Sequence, residues 1–222
     1  MMQAVIFDMD GVIFDSETLV LETWKETAER HGVAGVEQVC RKCLGLNASA
    51  SKQVFLAHYG DDFPYDEYKK EMGALFHERA DGGRLNQKPG IRELLIFLQD
   101  HKIRTAVASS TKSELVETEL REGGLLPLFD AVIGGDMVQK SKPEPDIFLK
   151  ACEVLAVSPK QSWVIEDSYN GIRAASRAGA VPVMVPDLAE PTEEMRRLAT
   201  YILPSLVEVR KEIERLLLAK TK

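Results

Sequence analysis

Three features are scarce or missing in this 222-residue sequence, and each excludes a class of protein. There are three cysteines, an odd number that argues against a disulfide framework. No segment reaches the roughly 18 consecutive apolar residues that a membrane-spanning helix needs. The first residues lack the basic stretch and the small-residue cleavage site of a signal peptide. We therefore expect a cytoplasmic protein without a membrane partner.

Clusters of positive charge are also missing. The chain has 28 Lys and Arg residues against 35 Asp and Glu, which gives a formal net charge of −7. No run of Lys and Arg with interleaved aromatic residues is present, so we expect no nucleic-acid partner. An anionic substrate must therefore be bound by local positive charge, either a metal ion or a few well-placed side chains.

Five short hydrophobic runs are continuous rather than alternating, which is typical of strands buried on both faces. They cover residues 3–7, 104–109, 131–134, 162–166 and 181–185. Helical patterns follow the later runs, at residues 112–122, 144–156, 169–178 and 206–219. This alternation predicts an α/β fold in which a parallel sheet has helices on both faces.

The segment between the first two predicted strands has no strand pattern. Residues 17–31, 49–59 and 65–80 look like amphipathic helices, and Pro89-Gly90 opens another. The simplest explanation is an inserted helical domain, which we call the cap. We predict that the cap covers residues 15–85 and that residues 1–14 and 86–222 form the core.

Asp8 and Asp10 come at the end of the first predicted strand. The two-residue period of a strand puts both carboxylates on one face, with α-carbons about 6–7 Å apart. Ligands of open α/β sheets bind at this end of the strands. A turn or a helix cap explains one aspartate but not two followed by Gly11. An EF-hand fails, because its third ligand would be Val12 and its glutamate Leu19.

Polar residues also follow three later strands. Residues 109–112 read Ser-Ser-Thr-Lys, Lys142 lies in the loop after the third strand, and Glu166 and Asp167 close the fourth. Taken singly, each has a structural explanation as a helix start, a solvated lysine or an N-cap. A parallel sheet brings these loops to one edge, however, and the combined set of groups suits a hard metal ion and a phosphoryl group.

Four motifs make the sequence resemble the haloacid dehalogenase-like hydrolase superfamily, and within it the β-phosphoglucomutase-like phosphatases with an inserted helical cap. They are FDMDGVIFDSE at residues 7–17, VASSTK at 107–112, KPEPDIF at 142–148 and IEDSYNGI at 165–172. The resemblance spans nearly the whole chain. It implies a Rossmann-like core with an all-helical cap, and a Mg²⁺-dependent phosphatase acting on a small organic phosphate such as a sugar phosphate.

The resemblance also implies roles for individual residues. Asp8 would attack phosphorus and form an aspartyl phosphate. Asp10 would protonate the leaving alkoxide and then take a proton from the hydrolytic water. Ser109 would hydrogen-bond a phosphoryl oxygen, and Lys142 would neutralise Asp8 and the developing charge.

The same resemblance implies a Mg²⁺ site. Its ligands would be the Asp8 carboxylate, the Asp10 backbone carbonyl and Asp167, while Glu166 would orient a metal-bound water or ligate directly. The haloacid dehalogenases proper dispense with Mg²⁺ and lack the second aspartate. The presence of Asp10 therefore favours phosphate-ester chemistry.

Candidates for phosphate and substrate binding lie in the motif loops and at the cap. Those in the loops are Gly11, Ser110, Thr111 and Lys112, and those at the cap are Glu17 and Asn47. Lys52 is a further cap residue that could reach a substrate. We expect a monomer, because a cap that closes over the site can exclude water within one chain.

A β-phosphoglucomutase-type phosphosugar mutase is the alternative. Those mutases carry a His shortly after the first motif and basic residues around a cap glycine. Here Val20 stands where the His is expected, and Gly45 lacks the basic pair. Since a mutase must bind a second phosphate, these differences favour the phosphatase. Cys40 and Cys43 have CxxC spacing, but no second ligand pair accompanies them and a zinc site is not expected.

Overall fold

The computed structural model of the chain describes residues 2–44, 46 and 48–219. Within these residues, six strands form one sheet in which every neighbouring pair is parallel. The strands are β1 Ala4–Phe7, β2 Arg104–Ala108, β3 Ala131–Ile133, β4 Ser162–Glu166, β5 Val181–Met184 and β6 Tyr201–Ile202. Their order in the sheet is β3-β2-β1-β4-β5-β6. The predicted Rossmann-like α/β fold is confirmed.

Ten α-helices are described along the same residues. They are α1 Ser16–Arg30, α2 Val36–Cys43, α3 Ala48–Tyr59, α4 Tyr65–Ala80, α5 Ile91–Asp100, α6 Ser113–Glu122, α7 Asp146–Val154, α8 Tyr169–Arg177, α9 Glu193–Leu198 and α10 Leu206–Leu218. The sequence patterns predicted eight of these and missed α2 and α9. None of the described helices is long and apolar enough to cross a bilayer.

Helices cover both faces of the sheet. Along the central strand β1, Val5 and Phe7 belong to one hydrophobic cluster, to which α5, α6 and α10 contribute. Ala4 and Ile6 belong to a second cluster, to which α7 and α8 contribute. The two-residue period of a strand therefore divides β1 between two buried faces, which explains its continuous hydrophobic run.

The helices between β1 and β2 have a hydrophobic cluster of their own. Trp24 of α1 is at its centre, with its ring centroid 4.6 Å from that of Phe55 and 5.8 Å from that of Tyr65. Among the described residues of this segment, the β-type pairings are the isolated bridges of Phe14 with Asp10 and Gln87. A separate helical core of this kind supports the predicted cap, whose boundaries remain a prediction.

Candidate active site

Asp8 is the first residue after β1, at the carboxyl edge of the sheet. Its backbone N–H donates to the Ile165 carbonyl of β4 at 2.9 Å, so the pairing of β1 with β4 continues for one more residue. Asp8 as a whole residue is 7% exposed. The sheet order reverses between β1 and β4, and such a switch point is where ligands of open α/β sheets bind.

Lys142 connects two of the buried carboxylates. Its Nζ donates to Asp8 Oδ1 and to Glu166 Oε1, both at 2.6 Å, and to the Ala108 carbonyl at 3.2 Å. The other Glu166 oxygen accepts from the Ser168 backbone N–H at 3.1 Å and from the Ser168 hydroxyl at 2.9 Å. The loops after β1, β3 and β4 therefore meet at one ammonium group.

The charges of this group shift one another's pKa. Burial raises the pKa of Asp8 to about 8; the Glu166 charge adds to the rise and Lys142 opposes it. Burial alone would lower the pKa of Lys142, but the Asp8 and Glu166 carboxylates raise it above its ordinary value. One ammonium therefore does not compensate all of the buried negative charge.

Asp10 is positioned by a tight turn between β1 and α1. The N–H of Gly11 donates to the Phe14 carbonyl at 2.9 Å, and Gly11 has a φ of +75°. The Ser16 hydroxyl donates to Asp10 Oδ1 at 2.5 Å. Burial raises the pKa of Asp10, while hydrogen bonds from Ser16 and Ser109 and the charge of Lys142 oppose the rise. A carboxyl group with a raised pKa is suited to proton transfer.

Gly11 must be glycine for two reasons. Its left-handed φ disfavours other residues. In addition, a Cβ there would lie 2.5 Å from Asp167 Oδ2 and 3.3 Å from Asp187 Oδ2. The turn therefore lets the backbone approach two carboxylates closely.

Asp167 is the residue whose surroundings fit a cation best. It is 1% exposed, and neither of its carboxylate oxygens has a hydrogen-bond partner among the described residues. Carboxylate oxygens of Asp8, Glu166 and Asp167 lie within 4.8 Å of one another. Hard oxygen ligands of this kind are those that Mg²⁺ prefers. The residues that the structure places here therefore fit the Mg²⁺ that was expected.

A second acidic group adjoins the first. Oxygens of Glu17, Asp167 and Asp187 also lie within 4.8 Å of one another. Burial raises the pKa of Asp167 well above its ordinary value, and the Glu17 charge adds to the rise. Burial likewise raises the pKa of Glu17 to about 8. Negative charges this close to one another disfavour ionisation of both carboxyl groups.

The loop after β2 presents its hydroxyl groups to the same edge. Ser109 is fully buried; its backbone N–H donates to the Ile133 carbonyl at 3.0 Å, and its hydroxyl accepts from the Thr111 N–H at 3.1 Å. Ser110, Thr111 and Lys112 line a cavity that also contacts Asp8 and Asp10. The predicted loop residues are thus brought to the predicted catalytic pair.

The cap candidates have different outcomes. Glu17 lines the cavity, and its role in substrate binding stays a prediction. Asn47 lies outside the described residues. The Lys52 ammonium donates to Asp66 at 2.6 Å, an exposed pair that does not line the cavity.

Sequence reasoning did not identify several residues at or near the site. Asp187 follows β5 and accepts from Lys88 Nζ at 2.6 Å, so the strand-end rule that found Asp167 could have found it too. The hydrogen bond from the Ser16 hydroxyl to Asp10 was also not predicted. Lys69 and Glu119 line the cavity from α4 and α6, and finding them requires knowing how the cap lies on the core.

The CxxC pair also lines the cavity. Cys40 and Cys43 are free thiols. Burial raises the pKa of Cys40 to about 12 and also raises the pKa of Cys43. Both therefore remain protonated near neutral pH, where a thiol is a poor metal ligand and a poor nucleophile.

Comparisons with known proteins agree with this geometry. A model of the haloacid dehalogenase-like hydrolase family matches residues 5–185. The chain is 35% identical over 181 residues to the phosphorylated carbohydrates phosphatase of Thermotoga maritima, covering 80% of this chain and 82% of that protein. It is 33% identical over 192 residues to the β-phosphoglucomutase of Bacillus subtilis, covering 83% of each.

A solved structure extends the likeness to three dimensions. The crystal structure of CbbY from Rhodobacter sphaeroides in complex with phosphate matches with a TM-score of 0.77 at 30% identity, covering 94% of this chain and 96% of that one. The chain belongs to the haloacid dehalogenase-like hydrolase family, as the motifs predicted. It is an enzyme, a phosphoric monoester hydrolase of that family.

Proposed function

We propose that the chain is a Mg²⁺-dependent phosphatase that hydrolyses a small phosphorylated carbohydrate through an aspartyl phosphate on Asp8. The observation that carries the proposal is the environment of Asp8. Its carboxylate accepts from Lys142 at 2.6 Å and lies next to Asp167, whose two buried oxygens have no partner among the described residues. The similarity to a phosphorylated carbohydrates phosphatase supports the substrate class.

Asp8 and Asp10 divide the chemistry between them. An Asp8 oxygen bonds to phosphorus as the bond from phosphorus to the leaving oxygen breaks, and Asp10 gives its proton to that oxygen. Asp10 then takes a proton from water, whose oxygen bonds to phosphorus and releases Asp8. The products are an alcohol and inorganic phosphate, and both aspartates return to their starting state.

Other residues prepare Asp8 and hold the phosphoryl group. Lys142 stabilises the ionised form of Asp8, and the Ser109 hydroxyl, which can donate while it accepts from the Thr111 N–H, is suited to a phosphoryl oxygen. Mg²⁺, held by Asp8, Asp167 and the Asp10 backbone carbonyl with Glu166 beside them, would supply the positive charge that lets an anionic nucleophile meet an anionic phosphate. The high pKa of Asp8 without a cation is consistent with this requirement.

A phosphosugar mutase remains the second candidate, because the chain is 33% identical to a β-phosphoglucomutase. Both activities start from the same aspartyl phosphate and differ in whether water or a sugar hydroxyl accepts the phosphoryl group. Val20 lines the cavity at the position where the mutases have a His. This difference favours water as the acceptor.

Phosphate release from a panel of monoesters tests the proposal. The panel contains sugar phosphates, nucleotides, phosphoglycolate and p-nitrophenyl phosphate, each with Mg²⁺ or with EDTA, and β-glucose 1-phosphate with a bisphosphate activator. We expect Mg²⁺-dependent phosphate release, and a loss of at least about 100-fold in Asp10→Asn because proton transfer is removed. Glucose 6-phosphate formed without phosphate release would establish the mutase instead. Undiminished turnover by Asp10→Asn would contradict the mechanism.

A further inference from the structure

The cavity at the active site extends into the cap. Its volume is about 490 Å³, and Asp8 and Asp10 line it on the core side. On the cap side the lining is largely apolar and aromatic. It includes Val20, Leu21, Trp24, Phe55, Met72 and Phe76. A charged side chain in this wall therefore has few polar neighbours.

Lys69 is such a group. It lies on α4 with Met72 and Phe76 three and seven positions further on, so the three side chains share the helix face that lines the cavity. Lys69 is partly buried, whereas the next residue, Lys70, is exposed. Among the described residues, Lys69 forms no ion pair: no carboxylate oxygen lies within 4.0 Å of its ammonium nitrogen.

The other cap cations at the cavity already have partners. Arg41 donates to Glu37 at 3.0 Å and to the Leu188 carbonyl at 3.2 Å. His77 is hydrogen-bonded to Asp81 at 3.0 Å. Within the described part of the cap, the cavity thus has one cation whose charge is not paired.

An unpaired ammonium in this setting is unfavourable. Burial lowers the pKa of Lys69, and the charge of Asp10 offsets only part of that effect. Partly buried charges in proteins are normally compensated by a partner. A ligand that placed an anionic group beside Lys69 would remove this penalty, so the position is suited to recognising negative charge.

We infer that Lys69 binds a carboxylate on the leaving-group part of the substrate, so that the substrate is a phosphorylated hydroxy acid such as a phosphorylated sugar acid. The inference rests on the proposed phosphatase function. Lys69 is then a specificity-determining residue. It takes no part in the transfer of the phosphoryl group, which occurs at Asp8.

The single charge of Lys69 favours a carboxylate over a second phosphate. A phosphate dianion is usually bound by several donors or by a bidentate arginine. Here one ammonium lies among apolar side chains and two protonated thiols, Cys40 and Cys43. One positive charge matches one carboxylate, and the remaining apolar wall suits the uncharged part of the leaving group.

Matched substrates and matched variants test this assignment. The substrates are 6-phosphogluconate, which has a carboxylate, glucose 6-phosphate, which lacks it, and fructose 1,6-bisphosphate, which has a second phosphate. Lys69→Met is compared with Lys70→Met, which removes the neighbouring exposed lysine. We expect the wild type to favour 6-phosphogluconate over glucose 6-phosphate in kcat/KM, and Lys69→Met to lower that ratio by about 10- to 100-fold, mainly through KM. Lys70→Met should leave the ratio unchanged.

Binding measurements separate this inference from the function on which it rests. Calorimetry in an Asp8→Asn background, with and without Lys69→Met, compares the affinities for the same substrates without turnover. An unchanged ratio in Lys69→Met, an equal change in Lys70→Met, or a wild-type preference for the bisphosphate would overturn the carboxylate assignment. If the wild type released no phosphate from p-nitrophenyl phosphate, the proposed function would fail, while the calorimetric comparison would still decide the role of Lys69.

Discussion

Among single residues, Lys142 carries the positive charge that compensates two buried carboxylates. It is 4% exposed and has Asp8 and Glu166 as partners, both at 2.6 Å. A buried ion pair of this kind adds little net stability relative to apolar residues. Removing one partner, however, leaves the other charges uncompensated, and that loss is large.

Lys142→Met should therefore destabilise the protein by about 3–5 kcal/mol and lower kcat by about 10²–10³-fold. Denaturant unfolding with Mg²⁺ absent measures the first effect, and phosphate release from p-nitrophenyl phosphate measures the second. Adding Glu166→Gln should recover part of the lost stability, since it removes a charge that Lys142 compensated.

Lys150 provides the control for this variant. It makes an exposed ion pair with Glu153 at 3.0 Å, and Lys150→Met should cost less than about 1 kcal/mol. Equal stability of the Lys142→Met and Lys150→Met proteins would contradict the role given to Lys142. A further loss of stability when Glu166→Gln is added to Lys142→Met would contradict it too.

The core site residues that the sequence predicted lie at strand ends or, like Lys142 in the loop after β3, within a recognised motif. Asp8, Ser109 and Asp167 each lie at or directly after the end of a strand, and the parallel sheet brings such positions together. Asp187 satisfies the same rule but lies in no recognised motif. Lys69 lies in the middle of α4, and its position over the cavity depends on how the cap packs, which local patterns do not report.

At the scale of elements, the packing of α8 against β4 holds Glu166 in place. Gly171 is in the first turn of α8, and its N–H donates to the Ser168 hydroxyl at 3.0 Å. A Cβ at Gly171 would lie 1.8 Å from Glu166 Cδ. The helix can therefore approach the carboxylate this closely only because position 171 has no side chain.

Gly171→Ala should lower the free energy of unfolding by about 1–3 kcal/mol, because the added methyl group must displace Glu166 or the helix. It should also reduce kcat, since Glu166 shares Lys142 with Asp8. Unfolding in denaturant and phosphate-release kinetics measure the two effects.

Gly73→Ala should instead raise the free energy of unfolding. Gly73 is within α4, and a Cβ there would meet nothing within 4 Å. Alanine normally stabilises a helix interior by about 0.5–1 kcal/mol relative to glycine. A Gly171→Ala protein as stable as Gly73→Ala would contradict the close packing at Glu166.

Short elements were the ones that the sequence did not predict. β6 has two residues and α9 has six, which is too few for a hydrophobic period to be recognised. The eight-residue helix α2 begins after Gly35 and buries Val36, Val39 and Cys40, a pattern of barely two turns. The longer elements were predicted because their patterns repeat several times.

At the scale of the whole molecule, the acidic site makes stability depend on pH. The pKa values of Asp8, Glu17 and Glu119 are each raised to about 8, mainly by burial. Because a raised pKa means that the folded state binds more protons than the unfolded state, the free energy of unfolding falls as pH rises from about 4 to about 8.

Metal-free protein should therefore have a lower Tm at pH 8 than at pH 5. Mg²⁺ should raise Tm more at pH 8, where carboxylates give up protons to a cation more readily. Thermal unfolding at both pH values, with EDTA and with Mg²⁺, measures this. Glu119→Gln should flatten the pH dependence in EDTA, because it removes one of the titrating groups. A metal-free Tm that rose over this range would contradict the assignment.

A hydrogen bond between α2 and the segment after β5 connects the cap to the core. Arg41 of α2 donates to the Leu188 carbonyl in the segment after β5, at 3.2 Å. The two residues are 147 positions apart in sequence. A contact of this range depends on the complete fold, which is why sequence patterns predicted that a cap exists but not which side chains it brings to the cavity.

Phosphorylation of Asp8 can be observed by trapping the aspartyl-phosphate intermediate. The Asp10→Asn variant is mixed with p-nitrophenyl phosphate and Mg²⁺, quenched with acid and reduced with borohydride, which converts a phosphorylated aspartate into homoserine. Peptide mass spectrometry should find homoserine at position 8 and no conversion at Asp167 or Asp187. Phosphate release with Asp8 unmodified throughout turnover, or homoserine at another position, would contradict the account.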